Sequence, residues 1–285
     1  MPESANVELV PCDLASEDAP RAIREVAEGA DAVIWCASGF KPDGAAIDVD
    51  GVAAFADALP AGAGAPKLVL CSSAGVTRPA WSDAKKQKLV GAADIPIVRL
   101  NPGGILEQKV EAEARLRKSS VSYCVVRPTG LKDDWPPGRP VLSQGDVAVG
   151  RTSPSDLADV LVGVLEEPAA SGKTLEMFTL SGYPSGRLTT ALEALAPDAA
   201  GTPSEAAVEA AYRVLQQMLP GEEQDATKLE MGRSYEEVDR GEVARERGAA
   251  PTQRERDVAA GALSSLSGGR KPGFLRRIFG RNRGG

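Results

Sequence analysis

The chain contains no histidine, which excludes imidazole acid–base chemistry and imidazole metal ligation. Chemistry therefore falls to hydroxyl, carboxylate, ammonium and thiol groups. Four clusters of such residues follow directly on apolar runs: Asp13-Leu14, Ala37-Ser38-Gly39, Ser72-Ser73-Ala74 and Pro128-Thr129. If the runs are parallel strands, the clusters lie outside the carboxyl ends of strands, where an open α/β sheet binds its ligands. Lys109 is a further candidate, four residues before Glu113 on a charged stretch with Glu107 and Glu111. It reads either as a ligand-facing ammonium or as one more solvated lysine. Asp13 reads equally as a strand terminator, and Ser72-Ser73 as turn residues that satisfy backbone groups.

The elements that must position these residues alternate between strand and helix. Val7–Val10 is a short strand-like run. Ser16 then caps a helix through about Glu28, with Glu17 and Asp18 in its first turn and Gly29 as its stop. Ala32–Ala37 and Lys67–Cys71 are continuous apolar strands of the kind buried on both faces of a parallel sheet. Asp48–Ala58 is a helix between them, and Ile95–Leu100 is a third apolar run. The stretch 101–131 reads as helix, short turn and buried strand, Val121–Val126. Ser153 is an N-cap with Pro154 at the first helical position. Leu157, Val160, Leu161, Val164 and Leu165 then form an apolar stripe at helical spacing. Lys173–Leu180 is a strand, and Ser204–Leu219 a helix stopped by Pro220-Gly221. The fold class is α/β with a mostly parallel sheet.

A length of 285 residues and 42% hydrophobic content suffice for one sizeable core plus an extension. Net charge is −7, unevenly spread: residues 269–285 carry +6, which leaves −13 on the rest. An acidic body disfavours nucleic acid as a partner. Cys12, Cys36, Cys71 and Cys124 form no Cys-x-x-Cys pair and sit in or beside apolar runs. They read as buried, reduced thiols, and no metal site is expected.

Lys109, Glu113, Leu116, Arg117, Ser122, Tyr123 and Val126-Arg127-Pro128 keep an order that resembles the atypical short-chain dehydrogenase/reductases. More narrowly, it resembles their NmrA-like, NAD(P)-binding branch, over about residues 7–180. The resemblance implies a Rossmann-like domain and an NAD or NADP cofactor. It implies that Asp13 accepts from the adenine amino group with Leu14 beside it, and that Ala37, Ser38 and Gly39 line the adenosine ribose. Ser72 joins that cofactor-binding set. Ser73 would hold a substrate carbonyl, Lys109 the nicotinamide ribose, and Pro128 and Thr129 the nicotinamide amide. Ser73 and Lys109 are thus the catalytic candidates. Tyr123 lies within a strand and reads as core packing.

Two departures from the family pattern matter. The family's catalytic tyrosine stands four residues before the lysine, and here that position is Ile105, which has no proton to give. The glycine-rich turn is also missing: neither Gly-x-Gly-x-x-Gly nor Gly-x-x-Gly-x-x-Gly occurs in the chain. The sheet is therefore expected to lack its first β-α-β unit. Three accounts compete: a truncated gene model, a split or processed chain, and a domain that no longer binds nucleotide. Truncation is preferred.

The expected organisation is an incomplete Rossmann-like domain over 1–182, a helical extension over 183–220, a charged, partly disordered linker over 221–268 and a basic amphipathic tail over 269–285. Phe274, Leu275, Ile278 and Phe279 fall near one side of a short helix in that tail, with arginines elsewhere. Two functions compete. One is an NAD(P)-binding oxidoreductase-like protein without the usual tyrosine. The other is a non-catalytic scaffold or assembly factor that docks through Gly269–Gly285 to a protein partner or an anionic membrane. By analogy with plastid proteins of similar layout, the expected location is the plastid stroma or thylakoid surface, otherwise the cytoplasm.

Overall fold

A computed structural model describes residues 8–218. Strands are β1 Val33–Trp35, β2 Leu68–Cys71, β3 Tyr123–Pro128, β4 Gly130–Leu131, β5 Gly138–Ser143, β6 Arg151–Thr152 and β7 Lys173–Ser181. Helices are α1 Ala19–Ala27, α2 Ile47–Ala58, α3 Asp83–Lys88, α4 Val90–Ala93, α5 Pro96–Leu100, α6 Ile105–Lys118, α7 Pro154–Gly163, α8 Leu188–Glu193 and α9 Glu205–Met218. The main sheet has the order β1-β2-β3-β7-β5. Its first four strands are parallel, and β5 closes it antiparallel to β7. This is the mostly parallel, Rossmann-like α/β sheet expected, with a helical segment following it.

Successive side chains of a strand point to opposite faces, and β3 uses both. Tyr123 and Val125 pack with Trp35, Leu68, Leu70 and Leu116 on one face, against α1, α2 and α6. Cys124 and Val126 pack with Val69, Leu157, Leu161 and Leu192 on the other, against α7 and α8. All six β3 residues are buried. A third cluster, around Trp81, Phe178, Val147 and Leu89, receives Val208 and Leu215 of α9. That helix therefore packs on the sheet's far end.

Several local expectations change. Residues 8–10 form no strand, and Leu9 and Val10 are exposed. A strand is held by its neighbours, and β1 is the edge of the sheet. Ser16 is not a helix cap. Its hydroxyl donates to Asp13 O at 2.8 Å in a turn, and α1 begins at Ala19 behind Asp18. The run Ile95–Leu100 becomes the short helix α5, with Pro96 in its first turn. Ser153 precedes α7 but makes no side-chain cap bond. Cys12 and Cys36 are exposed and Cys71 half-buried, so Cys124 alone of the four is a buried thiol. Cys36 escapes burial because β1 ends one residue earlier. Strand β5 has no counterpart in the sequence reading. Residues 221–285, with the linker and the basic tail, lie outside the described residues.

Candidate functional site

A cleft of about 280 Å³ opens at the carboxyl ends of β2 and β3. It brings together four of the predicted residues: Ser72, Ser73, Pro128 and Thr129. Ile95 and Ile97 of the α5 segment and Ala148–Arg151 form its other walls. The strand ends meet because β2 and β3 are hydrogen-bonded in register, Cys71 opposite Val126. The backbone continues the pairing, with Ser72 N donating to Val126 O at 2.8 Å and Ala74 N to Pro128 O at 3.0 Å.

The four side chains are not equivalent. The Ser72 hydroxyl turns away and donates to Glu113 Oε1 at 2.6 Å. Thr129 is buried, its Oγ1 2.9 Å from Thr152 Oγ1. Ser73 is half-buried, and its hydroxyl rests on the adjacent Ala74 carbonyl at 2.9 Å, a contact that a ligand acceptor can replace.

Lys109 does not line the cleft. It is buried on α6, and its ammonium donates to Asp48 Oδ1 at 2.9 Å. Asp48, in the first turn of α2, is fully buried, and its Oδ2 has no hydrogen-bond partner among the described residues. Lys109 is thus not a solvated lysine. Sequence reading missed Asp48, although an acid flanked by Ile47 and Val49 at a helix start was the available signal.

The remaining predicted residues stand at the β1 edge. Asp13 is exposed and works as a turn residue: its Oδ1 accepts from Ala15 N at 3.0 Å. Leu14 and Ala37 pack against the core cluster beneath α1 and α2. Ser38 is exposed, and the carbonyl of buried Gly39 accepts from Ile47 N at 3.1 Å. Tyr123 is core, as expected, with its hydroxyl on Asp198 Oδ2 at 3.0 Å.

Two buried ionic networks hold the cleft walls. Glu113 accepts from Arg127 Nε at 2.9 Å, from Arg127 and Arg117 guanidinium NH2 groups, and from Ser72. Burial pushes its carboxyl upward, but Arg127, Arg117 and the hydrogen bonds outweigh that, so its pKa lies below the usual carboxylate range. On the opposite wall, fully buried Arg78 donates to the carbonyls of Asp146, Ala92 and Ala148 at 2.7–2.8 Å. Asp146 accepts from Gly75 N at 2.6 Å and from Thr77 N at 2.8 Å. Glu176 accepts from the backbone of Asp146 and Ala148. Burial, then the Asp146 charge, raises the Glu176 pKa. These bonds tie the turn after β2 to the 146–148 wall.

A dinucleotide can be tested against these features. The cleft is close to the lower end of small-molecule sites, roughly 300–1,000 Å³, which suits a nicotinamide ring. The Asp48–Lys109 pair is buried and does not line that cleft, so it offers a ribose hydroxyl no open contact here. The glycine fingerprint that holds a pyrophosphate is absent from the sequence.

A parallel sheet with its cleft at the carboxyl ends of adjacent strands defines a Rossmann-like nucleotide-binding protein. Residues 1–168 match the family described as NAD(P)H-binding, and the chain belongs to that family. An uncharacterized chloroplastic protein of Arabidopsis thaliana is 29% identical over 189 residues, 64% of this chain and 64% of that one. The match thus covers less than two thirds of the relative's length. The crystal structure of the oxidoreductase ylbE from Lactococcus lactis shares the fold, with a TM-score of 0.50 and 19% identity over 68% of this chain and 80% of that one. A more distant likeness is to a short-chain dehydrogenase/reductase from Veillonella parvula in complex with NADP. There the TM-score is 0.42, with 15% identity over 62% of this chain and 74% of that one.

Proposed function

We propose that the chain binds NADP or NAD at the β2–β3 cleft and acts as an oxidoreductase-like protein without a catalytic tyrosine. One observation carries this reading: Ser73, Pro128 and Thr129 converge on one cleft, with the buried Lys109–Asp48 pair also in the domain. In this reading Pro128 and Thr129 border the nicotinamide amide. Lys109 has further ammonium protons beyond the one given to Asp48, and these would donate to the ribose. Asp13, Leu14, Ala37, Ser38 and Gly39 form the adenosine side, and the Ser72–Glu113 bond holds the turn that aims Ser73. When bound, the reduced cofactor would supply a hydride. Ser73 would donate a hydrogen bond to the accepting carbonyl, and solvent water, in place of the family tyrosine, would supply the proton that completes the alcohol.

The position of that tyrosine favours the second reading, a scaffold. Ile105 is buried in an apolar cluster with Phe40, Val49 and Val76, and its side chain has no proton to deliver to a ligand. In that reading the sheet is a platform and residues 269–285 dock to a partner or an anionic membrane. A plastid location is part of both readings and rests on the chloroplastic relative.

Calorimetric titration with NADPH and NADH separates the two. Saturable binding tighter than about 1 mM, weakened by Ser73→Ala or Thr129→Val, supports the first. No binding of either nucleotide sinks it and leaves the scaffold. Equal partition onto anionic vesicles with and without residues 269–285 removes the membrane form of the second.

A further inference from the structure

Cys36 and Cys71 are far apart in sequence but adjacent in the sheet. Trp35 pairs with Leu70 in the parallel register of β1 and β2, so Cys36 lies level with Cys71, one rung nearer the carboxyl edge. Neighbouring strands run about 4.8 Å apart, inside the range of about 4.4–6.8 Å between Cα atoms that a disulfide spans. Both side chains point to one face. Cys36 shares its side with Ile34, and Cys71 with Val69, and Ile34, Val69 and Cys71 belong to the same apolar cluster. Cys36 is exposed, and Cys71 behind it is half-buried.

We propose that Cys36 and Cys71 are a reversible dithiol–disulfide site, oxidised by exchange with a low-molecular-weight disulfide. Exposed Cys36 is the attacking sulfur and shielded Cys71 the resolving one. The Cys36 thiolate attacks one sulfur of the incoming disulfide, breaking its S–S bond, releasing one thiolate and leaving a mixed disulfide on Cys36. Cys71 then loses its proton, attacks the Cys36 sulfur and expels the second thiolate. The chain loses two electrons and two protons, and the small disulfide becomes two thiols. The cross-link would join β1 and β2 immediately before Ala37 and Ser72.

The acidities divide in the same sense. The hydrogen bond from Cys71 brings the Cys36 thiol down to about 7 against the opposing effect of burial, so much of it is thiolate at neutral pH. The hydrogen bond to Cys36, then burial, raises Cys71, with Lys109 pulling it down and Asp48 pushing it up. Cys124, on β3, is pushed up to about 12, chiefly by burial, and takes no part.

The test uses the full natural chain in glutathione buffers of increasing oxidised fraction, quenched in acid and mapped by proteolysis and mass spectrometry. The expected result is a Cys36–Cys71 cross-linked peptide that is reversed by reduced glutathione. In Cys71→Ala, glutathione should remain on Cys36. The pH midpoint of Cys36 alkylation should move in that variant from near 7 to about 8.5, the value of an ordinary thiol. Stable glutathione on Cys36 of the natural chain, a cross-link through Cys12, or no oxidation at any ratio overturns the proposal. No nucleotide enters the assay, so the result stands apart from the fate of the cofactor reading.

Discussion

Replacing Glu113 by glutamine keeps the shape of the side chain but removes its charge. In the natural chain Glu113 is fully buried and accepts four hydrogen bonds, two from Arg127, one from Arg117 and one from Ser72. Glutamine retains one acceptor oxygen and turns an NH2 group toward guanidinium donors. Arg127, itself buried, keeps a charge without its counter-ion. Removing one partner of a buried pair costs about 3–5 kcal/mol, and the retained oxygen places Glu113→Gln near the lower end. With a urea m-value of about 3 kcal/mol/M, the unfolding midpoint should fall by about 1 M. The pH dependence supplies a second check. The folded-state pKa of Glu113 lies below its unfolded value, which is about 4.3. Its contribution is therefore fully present above that value and is lost as pH falls through the lower folded pKa. The gap between natural chain and variant should be constant near neutrality and shrink in acid. Equal midpoints at pH 7, or a gap that persists unchanged into acid, would refute the assignment. The exposed Arg21–Glu25 pair serves as the control, and its removal should leave the midpoint unmoved.

Other perturbations follow from single contacts. In Gly51→Ala the new Cβ would sit 2.1 Å from the Trp35 ring. Overpacking there should cost about 1–3 kcal/mol and perturb Trp35 fluorescence. Lys109→Met leaves the buried Asp48 carboxylate unpaired, and a loss of about 3–5 kcal/mol is expected in chemical denaturation. A change within about 0.5 kcal/mol would mean that the pair is not formed. Leu215→Ala removes the α9 anchor from the Trp81–Phe178 cluster. It should cost about 2–5 kcal/mol and speed proteolysis within residues 205–218.

Much of the site's outline was legible before the structure because strand ends are local features. Lys67–Cys71 stands out as apolar with no helical period, and Ser72-Ser73 follow it wherever the strand goes. Ser72, Ser73, Pro128 and Thr129 do meet at one cleft. Their division of labour was not legible. Ser72 is taken up by Glu113 because α6 lies across that face, and no spacing rule relates position 72 to position 113. Lys109 read either as a ligand-facing ammonium or as one more solvated lysine, and only the packing of α2 beside α6 gives it Asp48.

By itself the sequence determines the α/β class, the helix that precedes the strand Val121–Val126, the helix opened by Pro154 and the apolar strand runs. These rest on periodicity and burial over a few consecutive residues. It also determines that no histidine, no family tyrosine and no glycine fingerprint is present, since composition does not depend on folding. Tertiary structure alone decided that residues 8–10 stay unpaired while 138–143 join β7, because a strand is defined by its neighbour. Gly138 lets that neighbour approach: a Cβ there would meet Leu180 O at 2.0 Å. The same holds for Cys36 and Cys71, which 34 intervening residues separate in the chain and one rung of a parallel ladder brings together.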